Sequence, residues 1–341
     1  MTDINCSNHH GILTVRARCH QHEATSADLC IDKTESTSSP MSSRATRILI
    51  ATLTAFIATS AFPSGPVAMA QPTEGKRLVT MGDSFTATTP LLADKAGCVH
   101  PDTSWPAQLA GSIGLAGTPD FLDVSCNGGS IDTGTGWTLL QQAREAVKQG
   151  AFGHSTRTVL IQVGLNDTWG SSQATAFPSV DCLIDVVRGC GMDAVEQGRV
   201  PDSGAVTGQS YADRIRPVVD YISFYAPNAR IGVVGYPEIF PTGQSNACLE
   251  LPGNGRVEQG RAEGYIAFLD RLDDAQHGAA TILGIDFVDT RALTAGHGSC
   301  SDDSWVGGLT DPNSLSVGAP IHPTPHGNAV LADALRTQFT P

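Results

Sequence analysis

Short apolar runs alternate regularly along this sequence with longer segments of helical periodicity. The short runs are rich in β-branched residues and have the length of buried strands; they span 77–81, 121–125, 158–163, 230–235 and 282–288. Helical patterns occupy 105–113, 139–148, 211–225, 257–272 and 328–338. Such alternation is typical of a parallel sheet with helices on both faces, joined by right-handed crossovers. It predicts a flavodoxin-like three-layer α/β/α sandwich around a five-stranded parallel sheet.

The first 70 residues are predicted to lie outside this sandwich. Residues 41–70 combine a short basic start, an apolar run and small residues before Ala70, which is the pattern of a signal peptide. The apolar run is shorter than the ~20 residues that span a bilayer, so we expect export without a stable membrane anchor. Because a complete signal begins at Met41, residues 1–40 are interpreted as a spurious or disordered leader. The folded domain is then 71–341.

Six of the nine cysteines fall in the exported part, and an even number in an oxidising compartment predicts disulfides. Many pairings are arithmetically possible, and the spacing favours neighbours in order: Cys98 with Cys126, Cys182 with Cys190, and Cys248 with Cys300. A zinc site is the competing interpretation. The absence of a Cys-x-x-Cys motif and the scattered histidines argue against it, so no metal or cofactor is expected.

The stretch 170–209 interrupts the alternation with Gly, Pro, Ser and two cysteines. A segment of this length without periodicity predicts a long, disulfide-pinned loop near the functional site. Trp169, at its start, is interpreted either as a core aromatic or as the border of a substrate pocket.

Three predicted strands end in residues suited to chemistry, and ligands of parallel sheets bind outside the carboxyl ends of the strands. The first runs into Gly82-Asp83-Ser84, the second into Asn127-Gly128-Gly129, and the third into Gly164-Leu165-Asn166-Asp167. They supply a hydroxyl, a backbone N–H open to close approach, and a side-chain amide. Preset donors of this kind stabilise the developing oxyanion of ester cleavage, each by about 3 to 4 kcal/mol.

A serine hydroxyl needs a base to take its proton at neutral pH, and histidine suits that task. The segment before the last predicted helix offers His322 and His326. Their spacing also resembles a metal pair, but Pro323 and Pro325 disfavour regular helix there. We therefore expect His322 to be the base and His326 to be a surface residue.

Each short motif alone also fits an ordinary turn or helix cap. In this order, however, the four blocks resemble the SGNH (GDSL) hydrolase family, and the Gly-Asp-Ser-Phe-Thr-Ala start with six cysteines resembles its secreted actinobacterial lipases and esterases. The resemblance spans 77–338. It implies Ser84 as nucleophile, His322 as general base, and an oxyanion hole of Ser84, Gly128 and Asn166. Gly129 remains a near-equal alternative to Gly128.

The family usually has an acid three residues before the histidine, whereas this chain has Ala319. The resemblance to actinobacterial enzymes implies that a main-chain carbonyl, that of Ala319, orients the His322 ring instead. A carbonyl fixes the tautomer but stabilises imidazolium less than a carboxylate does. Asp302, Asp303 and Asp311 remain alternatives for a carboxylate partner.

The function predicted from these features is a secreted serine carboxylic ester hydrolase acting on lipid or short acyl esters. Two alternatives remain: a polysaccharide O-acetyl esterase with the same site, and an inactive secreted binding domain with the same fold. A net charge of −13, without a basic cluster beyond the N-terminal patch, argues against a nucleic-acid partner. A monomer is the simplest expectation for such a disulfide-bonded chain.

Overall fold

The computed structural model describes residues 74–90, 98–133, 137–251, 255–308 and 318–339. The predicted leader and signal peptide lie outside these residues. The strands are β1 (Leu78–Gly82), β2 (Phe121–Asp123), β3 (Thr158–Gln162), β4 (Arg230–Val234), β5 (Ala247–Leu251), β6 (Gly255–Gln259) and β7 (Asp286–Val288). The helices are α1 (Ser84–Ala87), α2 (Trp105–Ser112), α3 (Leu139–Lys148), α4 (Ala176–Ile184), α5 (Met192–Glu196), α6 (Gly208–Tyr225), α7 (Glu263–Leu283), α8 (Thr290–Leu293) and α9 (Pro325–Phe339).

Five strands form one parallel sheet in the order β2-β1-β3-β4-β7. Leu78 is in register with Phe121 and Thr158, and Thr158 is in register with Arg230. The predicted α/β sandwich with a five-stranded parallel sheet is confirmed. Among the residues described, no helix is both long enough and apolar enough to cross a bilayer.

The two faces of the sheet carry separate apolar clusters because successive strand residues point to opposite sides. On one face, Leu78 and Leu160 pack with Trp105 of α2 and Leu335 of α9. The other face holds the larger cluster, which includes residues of α3, α6 and α7. Each fully buried Leu or Phe contributes roughly 1.5 to 3 kcal/mol relative to exposure. Because apolar side chains pack on both faces of the sheet, the strands are held in place, and so are the residues at their ends.

Two predicted boundaries are wrong. The segment 257–272 was expected to be one helix, but its start belongs to the β5–β6 hairpin and α7 begins only at Glu263. The helix then continues through Leu283 into the predicted fifth strand, until Gly284, with φ +65°, ends it. Both errors arise because the spacing of apolar residues in a short segment fits a strand and a helix equally well.

The expected loop 170–209 is also wrong in part, since it contains α4, α5 and a 3₁₀ turn at Ser203–Ala205. Its disulfide does close it, because Cys182 and Cys190 are bonded with their Cα atoms 5.2 Å apart. The other two expected pairs, Cys98–Cys126 and Cys248–Cys300, have Cα separations of 4.9 and 5.9 Å. All three separations fit disulfide geometry.

Candidate active site

Ser84 is presented by a tight turn at the carboxyl end of β1. Asp83 caps the short helix α1, its Oδ1 accepting from the N–H of Phe85 at 2.8 Å, and Ser84 is the first helical residue. The Gln142 side chain fixes the turn by bonding both the N–H and the C=O of Gly82, at 2.7 and 2.9 Å. A Cβ on Gly82 would lie 2.1 Å from Thr86 Oγ1, so this turn requires glycine. Ser84 is 7% exposed.

His322 meets Ser84 across 238 residues of sequence. The Ser84 hydroxyl lies 2.7 Å from His322 Nε2, in the geometry for donation to a neutral imidazole. The imidazole also stacks on the Phe85 ring, with centroids 4.2 Å apart. The predicted hydroxyl and imidazole are therefore brought within proton-transfer reach.

The other ring nitrogen, His322 Nδ1, lies 2.8 Å from the carbonyl oxygen of Pro320. The expectation of Ala319 at this position is wrong by one residue, because the Ala319 carbonyl accepts instead from the backbone N–H of His322 at 3.2 Å. Ile321 has φ +63°, a left-handed conformation that is rare for a β-branched residue. In this turn the Ala319 carbonyl accepts a backbone hydrogen bond, and the Pro320 carbonyl is free to accept one from the His322 ring.

Of the three carboxylates considered as partners of His322, two contact other residues. Asp302 is fully exposed and 3.4 Å from Arg256, and the Asp303 carboxylate is 3.4 Å from His297. Asp311 lies outside the described residues.

Burial lowers the pKa of His322 to about 4, although the Pro320 carbonyl acts in the opposite direction. Desolvation disfavours the charged imidazolium, which is the usual effect of an apolar environment on histidine. The imidazole is therefore neutral at pH 7, the state in which Nε2 accepts a proton.

The glycine turn after β2 packs against the Ser84 turn. A Cβ on Gly129 would lie 2.5 Å from the Gly82 carbonyl oxygen, and the Gly129 N–H already donates to the Cys126 carbonyl at 2.8 Å. Gly128 has φ +75° and open space around its Cβ position. Its N–H donates to no partner in the described part of the chain. The geometry thus favours Gly128 over Gly129 as the free donor.

Asn166 reaches the same turn, since its Nδ2 donates to the Gly129 carbonyl at 3.0 Å. An amide nitrogen carries two hydrogens, so one remains for a ligand. The N–H of Ser84 has no partner among the described residues. The structure therefore brings the ends of β1, β2 and β3 together, as expected for these three positions.

Asp167 is buried and holds neighbouring segments together through hydrogen bonds. Its buried carboxylate accepts from the Ile131 N–H and the Thr133 hydroxyl, both at 2.8 Å, and pairs with Arg214 at 2.5 Å. Burial raises the pKa of Asp167, opposed by the Arg214 charge. Arg214 stacks on Trp169, which is 2% exposed and therefore a core aromatic. Asp167 thus ties the end of β3 to the chain after the glycine turn.

Tyr236 is a site residue that the sequence analysis missed. Its hydroxyl donates to Asp83 Oδ2 and accepts from the Leu165 N–H at 3.3 Å, and its ring meets Phe85 edge-on. Burial raises the pKa of Asp83 to about 7, partly opposed by this hydrogen bond. Its place in the sequence could have indicated this role, because Tyr236 lies just beyond β4, at the same carboxyl edge of the sheet as the other site residues.

Among the described residues, no group of three or more His, Cys, Asp or Glu side chains is arranged to hold a metal ion. The groups that converge here are a hydroxyl, a neutral imidazole, backbone N–H groups and an amide. Groups of these kinds are chemically able to carry out nucleophilic attack, proton transfer and oxyanion binding.

Comparisons with known proteins identify the family and agree with the fold. The GDSL-like lipase/acylhydrolase family matches residues 80–330. Lipase 2 of Streptomyces coelicolor is 27% identical over 78% of this chain and 86% of its own, and an esterase of Streptomyces scabiei is 26% identical over 79% and 87%. The crystal structure of an extracellular lipase from Streptomyces rimosus shares the fold, with TM-score 0.53 and 21% identity over 77% of this chain and 99% of that one. The chain belongs to the GDSL-like lipase/acylhydrolase family and is a carboxylic ester hydrolase.

Proposed function

We propose that the protein hydrolyses esters through an acyl-enzyme on Ser84. The Ser84 oxygen attacks the ester carbonyl while His322 Nε2 takes the hydroxyl proton, and that proton then passes to the departing alcohol. A water molecule, deprotonated by His322, next attacks the acyl-enzyme, and collapse of the adduct releases the acid and restores Ser84. The observation that carries the proposal is the 2.7 Å contact between the Ser84 hydroxyl and a buried imidazole.

The oxyanion hole is assigned to the N–H groups of Ser84 and Gly128 and to the second amide hydrogen of Asn166. Support comes from the open space at Gly128 and from the hydrogen bond that orients the Asn166 side chain toward the glycine turn. The carbonyl of Pro320 holds His322 in the tautomer with hydrogen on Nδ1.

We propose lipid or short acyl esters as substrates and export from the cell as the location. The relatives from Streptomyces coelicolor are named lipases, and the structurally similar Streptomyces rimosus protein is an extracellular lipase. The signal pattern at 41–70 and the three disulfides fit an exported protein.

The test compares rates on p-nitrophenyl esters of increasing acyl length with the release of acetate from acetylated xylan. The proposal predicts turnover of the soluble esters and little acetate release. Ser84→Ala is expected to lose at least about 1000-fold in kcat. Ser112→Ala, which removes an exposed hydroxyl on α2, serves as the matched control and keeps the full rate. Rapid release of acetate from xylan, with poor turnover of longer acyl esters, would establish the polysaccharide esterase instead.

A further inference from the structure

A cavity of about 480 Å³ opens at the amino ends of the strands, on the edge of the sheet opposite Ser84. We call it the amino-edge groove. It is lined by Arg77, Arg157 and Arg230, by the apolar side chains of Leu109, Ile113 and Leu115, and by neighbouring residues. Its volume lies within the range of about 300 to 1,000 Å³ that is usual for small-molecule sites. Arg77 directly precedes β1 and Ser84 lies just beyond its other end, and the extended strand between them places the two roughly 20 Å apart, so the groove is distinct from the active site.

The three arginines form a row across neighbouring strands. The backbone N–H of Arg157 donates to the carbonyl of Arg77 at 3.1 Å, and that of Arg230 donates to the carbonyl of Arg157 at 2.8 Å. Adjacent strands lie about 4.8 Å apart, so the three backbone positions span about 10 Å. None of the described residues that line the groove carries a carboxylate. In a chain of net charge −13, this concentration of positive charge needs a reason.

Two of the three guanidinium groups are available to a ligand. Arg230 is engaged, since it pairs with Asp286 at 2.8 Å and lies over the Phe339 ring. Arg157 makes one long bond, 3.4 Å, to the carbonyl of His154. Neither Arg77 nor Arg157 forms an ion pair with a described residue, and both are exposed. A planar guanidinium recognises carboxylate and phosphate oxygens in bidentate fashion.

The floor of the groove is apolar. Leu109 lies on α2, Ile113 caps the C-terminus of that helix, and Leu115 lies two residues further on. Leu109 and Leu115 are buried, so the half-buried Ile113 offers the more accessible apolar side chain. An alkyl chain lying on this floor would carry its head group toward the arginines. We infer that the amino-edge groove binds a monomeric anionic amphipath, with the alkyl chain on the α2 side and a carboxylate or phosphate head on Arg77 and Arg157. This inference does not depend on the proposed ester hydrolysis.

The test is calorimetric titration of the protein with decanoate and with decyl phosphate below their micelle concentrations. Decyl glucoside supplies the chain without the charge, and acetate and inorganic phosphate supply the charge without the chain. We expect at least one of the two charged amphipaths to bind about tenfold more tightly than the glucoside, and the chainless anions not to bind. The preferred head group identifies the source as a free fatty acid or a phosphate ester.

The variants Arg77→Gln and Arg157→Gln should each weaken binding about tenfold, whereas Arg144→Gln, an exposed arginine on α3, should leave it unchanged. Ile113→Ser should weaken both charged amphipaths by reducing the apolar floor. Unliganded melting temperatures show that each variant is folded. Equal losses in Arg144→Gln, wild-type affinity in the Arg77→Gln/Arg157→Gln double variant, or no binding of either amphipath would overturn the inference. If the amphipaths bound at the active site instead, their affinity would not change in the Arg77→Gln and Arg157→Gln variants, and this result would overturn the inference.

Discussion

The Tyr236 hydroxyl donates a hydrogen bond to the buried carboxylate of Asp83, the residue directly before Ser84. Because the same oxygen accepts from the Leu165 N–H, one side chain from the end of β4 holds the ends of β1 and β3. The relative positions of Ser84 and Asn166 therefore depend in part on Tyr236.

Tyr236→Phe removes both hydrogen bonds while keeping the ring. We expect kcat to fall about tenfold with little change in KM, since the variant disturbs the positions of reacting groups rather than the binding surface. The free energy of unfolding should fall by about 1 to 3 kcal/mol because Asp83 loses a buried partner. Steady-state kinetics and urea unfolding measure the two effects. Tyr225→Phe, at a half-exposed position on α6, is the control, and a Tyr236→Phe enzyme with the kinetics of that control would remove this positioning role.

The pH dependence of activity should reflect the lowered pKa of His322. The neutral imidazole is the active base, so kcat/KM should rise as the pH increases through about 4, and any step from Asp83, whose pKa is about 7, should be separate from this one. Stability should change over the same window. Between about 4 and 6.5 the unfolded chain binds the proton that the folded chain excludes, so this group lowers stability as the pH falls. A pH profile on a soluble ester checks the kinetic part, and a profile with no step near pH 4, in which activity first appears at or above 6.5, contradicts it.

The two neighbouring glycines should respond differently to a methyl group. Gly129→Ala places a Cβ 2.5 Å from the Gly82 carbonyl oxygen, so we expect a loss of several kcal/mol in stability and displacement of the Ser84 turn. Gly128→Ala has room for its Cβ and keeps its N–H, so the cost should be about 1 to 2 kcal/mol from the positive φ alone. Thermal unfolding with residual kcat distinguishes them. Equal effects would contradict the separate roles given to the two residues.

Carboxylate variants test the orientation of His322 by a main-chain carbonyl. Asp302→Asn and Asp303→Asn should each keep most of the activity, because both side chains are exposed and contact Arg256 and His297 respectively. Asp311→Asn should also keep most of its activity if the Pro320 carbonyl is sufficient. A fall of about 1000-fold in kcat for any one of them would identify that residue as a third catalytic member.

The parts of this molecule that sequence predicts well are those governed by local pattern. Helix α3 begins and ends at the predicted residues, because Thr138 caps it and its apolar positions keep one face buried. The ends of β1 and β3 are predictable because each is a fully buried apolar run that stops at or near a glycine, Gly82 and Gly164 respectively. Each of these signals lies within one short segment.

The parts that sequence missed depend on contacts between distant segments. Tyr236 faces Asp83 across 153 residues, and no periodicity encodes that pairing. The choice of Pro320 over Ala319 depends on the left-handed conformation of Ile321, which is unfavourable for that residue in isolation. The β5–β6 hairpin was missed because its two strands pair only with each other, and the end of β6 falls within the segment 257–272 that was expected to be helical.

If Ser84 is the nucleophile activated by His322, an organophosphate ester should label Ser84 covalently. After treatment with an organophosphate ester, peptide mapping should find the modification on Ser84 alone, with activity lost in proportion to labelling. His322→Asn should label far more slowly, by about 1000-fold, because the base that accepts the hydroxyl proton is absent. Modification of another residue in step with inactivation, or an undiminished labelling rate in His322→Asn, would contradict the account.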